Sequence, residues 1–201
     1  NQLIYQMDAD TSQRFYETLK QLTDGKSESN PDGKGLDYAR YRAIEFLKPE
    51  YQGKYKNAEH IAQTLAGIYR VHMVKRLESS FYAFKKSLAT LLRITNDMIK
   101  MFEEDKVIIA PDLNVKELQS KGMELDQIIE YAVNKGYSEQ DIVFKADAFK
   151  PNFVDMLYHD KNILEHLNLE WQKENDDPKF DKFHENLKNN FFDKDINPTG
   201  K

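Results

Sequence analysis

The stretch from Val74 to Phe102, VKRLESSFYAFKKSLATLLRITNDMIKMF, repeats a mainly apolar position at alternating intervals of three and four residues. Eight of its nine repeat positions are apolar, which is typical of a coiled-coil seam. Burying eight such side chains stabilises a fold by at most about 12–24 kcal/mol before entropy is subtracted. The stretch is therefore predicted to be a helix that needs a partner helix. The repeat positions are Val74, Leu77, Phe81, Phe84, Leu88, Leu91, Thr95, Met98 and Phe102.

A second apolar stripe further along the chain predicts that partner. Asn152 can cap a helix there, and Asp160 is the one polar residue that interrupts the stripe. The two helices would form a long antiparallel hairpin, with residues 107–150 as its tip. In that tip we expect an extended piece at Val107–Asp112, a helix from Met123 to Lys135 ended by Gly136, and a capping box at Ser138 and Asp141. The stripe consists of Phe153, Leu157, Leu164, Leu167 and Trp171.

The first hairpin helix raises a question of length. Residues 57–104 contain no proline, and Gly67 is the only glycine. A continuous helix of that length would extend near 70 Å, at about 1.5 Å per residue. A compact domain of this size is only roughly 43 Å across. Either Gly67 marks a break or the helix forms an arm.

The remaining segments complete a mostly α, elongated fold with at most a short N-terminal strand. Alternation at Gln2–Asp8 predicts that strand, and Thr11 or Ser12 would cap the next helix, which carries Phe15, Leu19 and Leu22. A loop at Asp24–Gly35, a helix from Leu36 to Leu47 stopped by Pro49, and a final helix opened by Asp177 and Pro178 follow. The final helix would turn Phe180, Phe183 and Leu187 to the core. We divide the chain into residues 1–56, a hairpin arm at 57–175 and a lead-in helix at 176–201.

Composition excludes several classes of protein. The 201 residues carry a net charge of −5 and include no cysteine. Disulfides, thiolate metal sites and cysteine nucleophiles are therefore excluded, and a reducing, cytoplasmic setting is expected. No apolar run approaches the roughly 20 residues of a membrane helix, so we expect no membrane partner. The start at Asn1 and the end at Gly200-Lys201 suggest a piece of a longer polypeptide.

The sequence contains no recognisable catalytic motif. Gly25-Lys26-Ser27 lacks the glycine that a Walker A loop needs at position 20, which is Lys20. His159 and His166 share a helical face without a His-Glu-x-x-His pair, and Glu103-Glu104-Asp105 is most simply a solvated helix end. We predict a fragment that is not itself an enzyme and that holds no cofactor and no metal.

A basic stripe on the seam helix is the one feature that points to a partner. Residues 70–93 contain Arg70, Lys75, Arg76, Lys85, Lys86 and Arg93 against the single acid Glu78, a local charge of +5. The stripe could be a solvated face beside the seam. It could instead contact phosphates or the carboxylates of a neighbouring domain. Spacing alone does not separate the two readings.

The block Lys75–Leu88 resembles the K-R-L-E-S-S-x-x-A-F-x-x-S-L signature of bacterial Swi/Snf-type (superfamily 2) helicase-like ATPases. In that family the signature lies between two RecA-like motor lobes. Residues 3–19 resemble the strand and helix after the first lobe, and residues 38–47 the "A-R-Y" helix. Residues 177–183, with Leu187 and Gly200-Lys201, resemble the lead-in to the second lobe, whereas residues 105–150 match nothing recognisable.

The resemblance implies a parent protein that hydrolyses ATP and moves on, or remodels, double-stranded nucleic acid, with double-stranded DNA as the expected partner. ATP and Mg²⁺ would bind in the flanking lobes, and this piece would bridge them. Its contacts with a lobe or with nucleic acid would come from Arg40, Arg42, Arg70, Lys75, Arg76, Glu78, Ser79, Ser80, Lys85 and Lys86.

Two other functions stay open on the sequence. The hairpin arm could recruit a protein partner or self-associate through seam surface that remains exposed. Alternatively the basic stripe could bind DNA or RNA unaided, although the net charge of −5 predicts only weak binding.

Overall fold

The computed structural model describes residues 6–25, 32–53, 55, 57–110, 113–174 and 176–193. Helices account for most of them, which confirms the prediction of a mostly α fold. The strand predicted at residues 2–8 lies largely outside the described residues, and residues 6–8 form no strand. None of the helices described here is both long enough and apolar enough to cross a bilayer.

The helices and strands follow one another in a simple order. The α-helices are α1 (Ala9–Thr23), α2 (Pro49–Gln52), α3 (Ala58–Ser79), α4 (Phe81–Glu103), α5 (Val115–Ser120), α6 (Leu125–Asn134), α7 (Glu139–Ile142), α8 (Asn152–Gln172) and α9 (Pro178–Asn186). Two short 3₁₀-helices cover Ala39–Phe46 and Ala146–Ala148, and a π-helical turn covers Leu187–Phe191. The strands are β1 (Val107–Ile108) and β2 (Val143–Phe144).

Helices α4 and α8 form the predicted antiparallel hairpin. At one end the Trp171 ring of α8 packs edge-on against Phe81 and Phe84 of α4, with centroids 4.8 and 5.2 Å apart. At the other end Phe153 of α8 packs against Phe102 of α4, with centroids 5.5 Å apart. The seam is buried as its spacing predicts, because every repeat position except Val74, which is half-buried, lies in the core.

The hairpin carries two separate hydrophobic cores. The elbow core, named after the junction of α3 and α4 described below, gathers Leu22, Leu36 and Tyr38 around α3, the first half of α4 and the second half of α8. The tip core gathers the Ala39–Phe46 helix and residues 107–149 around the opposite ends of α4 and α8. Both cores therefore share the same two long helices.

The long helix is interrupted at Ser80, and Gly67 lies within α3 without a break. Ser80 has extended backbone angles (φ −162°, ψ 130°), and its Oγ accepts a bond from the N–H of Ala83 at the start of α4. The Oδ2 atom of Asp177 accepts from the Ser80 hydroxyl at 3.0 Å and from the Phe81 N–H at 2.9 Å. We call this junction the elbow. It leaves the seam in register, which is why the heptad pattern hides it.

The tip differs from the expectation in one main respect. The strands of the described chain lie here and not at the N-terminus: β1 pairs antiparallel with β2, Val107 opposite Phe144. The expected helix is α6, and Gly136 follows it with φ +94°, where glycine is favoured. The expected capping box is wrong, because the Ser138 side chain caps nothing. The described box joins Glu124 and Gln127 instead.

Several predicted helix starts are also corrected. Helix α1 is capped by Asp8, whose Oδ1 accepts from the Thr11 N–H at 2.7 Å. Thr11 is not the cap, because it lies inside the helix and its hydroxyl donates to Glu174. Helix α8 includes Asn152 and follows Pro151, which gives no side-chain cap. The segment predicted as an α-helix at residues 36–47 is the tighter 3₁₀-helix Ala39–Phe46.

Helix α9 begins as predicted, with the Asp177 carboxylate capping the Phe180 N–H and Pro178 in the first turn. Its predicted core face is wrong. Phe180 is 62% exposed and Phe183 52%, since no described element covers this side of the helix. In α6, likewise, Val133 is exposed rather than buried.

Asp160 is the polar residue within the stripe of α8, and it fixes the 3₁₀-helix in place. It is buried, and its two carboxylate oxygens accept the N–H groups of Asp37 and Ala39, each at 2.7 Å. Burial raises the pKa of Asp160 to about 6, against the opposing effect of these two bonds. One carboxylate thus anchors the N-terminal end of the Ala39–Phe46 helix.

We predict that Asp177→Ala destabilises the elbow. The change leaves the Phe81 N–H and the Ser80 hydroxyl without their acceptor, and a lost cap of this kind costs about 1–3 kcal/mol of unfolding free energy. Urea unfolding followed by Trp171 fluorescence measures the loss. Asp176→Ala, an exposed neighbour, is the matched control and should be silent. Equal effects of the two changes would refute the role of Asp177.

We predict that Asp160 makes stability depend on pH. Its folded-state pKa, about 6, lies above its ordinary value of 3.8, so the folded state binds the proton more tightly than the unfolded state. The contribution of Asp160 to the unfolding free energy should therefore fall as pH rises from about 4 to about 6 and level off above that.

Urea unfolding at several pH values, compared with Asp160→Asn, measures this dependence. The free energy of wild type minus that of the variant should decline across the window. A difference that stays constant, or that rises with pH, contradicts the assignment.

Candidate nucleic-acid contact surface

The elbow opens a cleft between α3 and α4. Its volume is about 430 Å³, and apolar side chains such as Met73, Leu91 and Ile94 form its floor. Polar and aromatic residues form its walls because they recur every three or four residues on each helix. The walls are Tyr69, His72 and Arg76 from α3, Tyr82, Lys86, Ser87 and Thr90 from α4, and Tyr41 from the 3₁₀-helix.

Three cations of the basic stripe are exposed at or beside this cleft: Lys75, Arg76 and Lys86. The Arg76 Nε lies 3.5 Å from Nε2 of His72, one turn earlier on α3. The Lys86 Nζ lies 4.6 Å from the centre of the Tyr82 ring, a cation–π contact that keeps the ammonium at the surface. Arg76 and Lys86 thus face one cleft from two helices.

The other cations of the stripe are engaged within the chain. The Nε atom of Arg70 is buried, and its guanidinium lies over the Tyr38 ring at 5.8 Å. Lys85 donates to the carbonyl oxygen of Glu174 at 2.8 Å. Arg93 forms an ion pair with Asp97 at 2.9 Å. Only some of the cations that produce the local charge of +5 are therefore available to a ligand.

The two arginines of the 3₁₀-helix have different surroundings. Arg42 donates two bonds to the Glu45 carboxylate, at 2.6 and 2.9 Å, and these bonds raise the pKa of Arg42. Arg40 has a buried Nε atom with no partner among the described residues, and burial lowers its pKa. Neither side chain belongs to the elbow cleft.

The polar residues at the end of α3 divide in the same way. Glu78 and Ser79 are exposed, whereas Ser80 is half-buried and bonded to Asp177. The structure thus brings Arg76 and Lys86 together at one cleft, leaves Lys75, Glu78 and Ser79 on the adjoining surface, and holds Ser80 inside the junction.

Sequence reasoning missed the tyrosines of the cleft. Tyr41 and Tyr69 stack with ring centroids 3.6 Å apart and planes at 13°, and this stack forms one wall. Burial raises the pKa of Tyr41 above its ordinary value, so the phenol stays protonated and can donate a hydrogen bond. The recurrence of polar residues at 69, 72 and 76 and at 82, 86 and 90 was the available signal.

The donors in this cleft suit an anion. Guanidinium, ammonium and hydroxyl groups bind phosphate oxygens, and tyrosine rings can stack on bases. Within the described ranges, no group of three or more His, Asp or Glu side chains is arranged to hold a metal ion.

Comparison with known proteins assigns the chain to no family. No protein-family model matches the chain, and neither the curated proteins nor the solved structures contain a match.

Proposed function

We propose that this chain is a non-catalytic helical module of an ATP-dependent DNA helicase or translocase. It bridges two motor lobes and contacts the nucleic-acid backbone through the elbow cleft. The observation that carries the proposal is the position of the block Lys75–Leu88. Its apolar residues Leu77, Phe81, Phe84 and Leu88 hold the hairpin together, while its polar residues line or flank an open cleft.

The geometry of the cleft supports a phosphate contact. Arg76 and Lys86 converge from two helices, so both could reach a backbone that runs through the cleft. Arginine binds phosphate with a planar fork, and lysine acts as a point charge. With three exposed cations at or beside the cleft on a chain of net charge −5, binding by this piece alone is weak and sensitive to salt.

The bridging role is tested by the reading frame on both sides of residues 1–201. The proposal requires a glycine-rich nucleotide-binding loop with an acidic metal-binding motif upstream, and an arginine-containing second lobe downstream. ATP and Mg²⁺ would act there. A frame without these lobes contradicts the bridging role.

We predict that replacing Arg76 and Lys86 by Ala weakens DNA binding and makes it less dependent on salt. The loss of two phosphate contacts should lower affinity for a labelled duplex about tenfold at low salt. It should also reduce the slope of log K against log salt concentration by about 1.8. Fluorescence anisotropy between about 50 and 200 mM salt measures both quantities.

The matched control replaces Lys121 and Lys182, two lysines whose ammonium groups are paired with the nearby acids Glu117 and Glu185. It removes the same charge away from the elbow. If both double variants change binding equally, net charge alone governs binding and the elbow is not a contact surface.

A second candidate function is a helical protein-interaction domain. The observation in its favour is apolar surface outside the hairpin seam, on α3 and α9. Such surface often marks an interface. Light scattering across a range of concentrations distinguishes this candidate, since self-association raises the mass with concentration. The exposed residues are Ile61, Leu65, Ile68 and Val71 on α3, and Phe180 and Phe183 on α9.

A further inference from the structure

A second groove, separate from the elbow cleft, lies on the other side of the Tyr41–Tyr69 stack. It has a volume of about 590 Å³ and runs between the 3₁₀-helix, the first half of α3, the end of α4 and β1. Its walls are mainly aliphatic, including Ile61, Leu65 and Met98. Concave apolar sites of roughly 300–1,000 Å³ with few polar groups are typical of small-molecule binding.

Among the described side chains that line this groove, Arg40 is the one that carries a charge. Its Nε atom is buried without a partner, and no ion pair or hydrogen bond joins its guanidinium to any residue that the structure describes. The contact it does make is with the Tyr41 ring, at 5.9 Å from the centroid. Asp97, the nearby acid, is already paired with Arg93.

Two other polar groups of the groove, on Asn114 and Tyr55, are engaged elsewhere. Asn114 caps α5 by accepting the Glu117 N–H at 3.2 Å, and its amide donates to the Glu117 carboxylate. The Tyr55 hydroxyl donates to backbone carbonyls, that of Ile109 among them at 3.3 Å. Arg40 is therefore the cation of this groove for which the described residues supply no ion pair. The Arg40 side chain is half-buried, and a buried N–H such as its Nε lowers stability when it has no acceptor.

We propose that this groove binds a small apolar carboxylate. The carboxylate head would pair with the Arg40 guanidinium, and the hydrocarbon body would lie along Ile61, Leu65 and Met98. One unpaired arginine balances one negative charge, which favours a carboxylate over a phosphate dianion. The planar guanidinium also matches a carboxylate in a two-bond fork. The proposal does not depend on the elbow cleft or on nucleic acid.

Replacing Arg40 should have an effect that distinguishes a binding arginine from a structural one. Arg40→Met removes a half-buried guanidinium whose buried Nε has no acceptor, and replaces it with a side chain suited to an apolar wall. The variant should therefore unfold at a higher temperature than wild type and yet lose the ligand. Gain of stability with loss of binding is expected where a residue is kept for function.

The experiment is calorimetric titration of the full 201-residue chain with decanoate, decanol and decylamine, each below its aggregation concentration. Decanoate should bind about tenfold more tightly than the other two, because it alone carries a negative charge that can pair with the Arg40 guanidinium. Arg40→Met, and Arg40→Gln as a second variant, should reduce decanoate binding to the level of decanol. Arg42→Met is the matched control, since Arg42 lies on the same helix but is paired with Glu45 and should leave binding unchanged.

Three results would overturn the proposal. Decanoate that does not bind, or that binds no better than decanol, excludes recognition of the carboxylate. Decanoate binding that survives Arg40→Met and Arg40→Gln excludes Arg40 as the recognition group. A mass of two chains in solution, lost on Leu65→Asp, shows that a second copy covers the groove instead.

Discussion

The packing of α4 against α8 is the interaction on which the rest of the structure depends. Trp171 fills the space beside Phe81 and Phe84 at one end, and its indole N–H donates to Thr18 of α1 at 2.8 Å. At the far end Phe153 meets Phe102. Each core takes one half of both helices, so neither core can form without the hairpin. Aromatic packing of this kind supplies both buried area and orientation.

The elbow gives this hairpin a cleft between α3 and α4. A straight helix through Ser80 would carry the basic stripe along one smooth face. The break instead turns α3 relative to α4 and opens a cleft that Arg76 and Lys86 enter from two sides. Asp177 holds the break from the residue that caps α9, through its bonds to Ser80 and Phe81. A movement of α9 would therefore reach the cleft directly.

The sequence predicted the regular part of this structure and missed its irregular part. Burial follows apolar spacing, so the seam and its partner stripe from Phe153 to Trp171 were correctly paired. The break at Ser80 was missed because its cause is Asp177, nearly a hundred residues away. The buried Asp160 looked like an interruption for the same reason, since its partners are backbone groups of another segment. The exposure of Phe180 and Phe183 likewise depends on neighbours that spacing does not specify.

The measurement that tests the central claim most directly is urea unfolding followed by methyl NMR signals from both cores at once. Ile94 reports on the elbow core and Ile128 on the tip core, and both are fully or almost fully buried. If α4 and α8 join the cores into one cooperative unit, the two signals should lose intensity at the same urea concentration. Transitions at clearly separate concentrations would mean that the cores fold independently and that the hairpin does not hold the structure together.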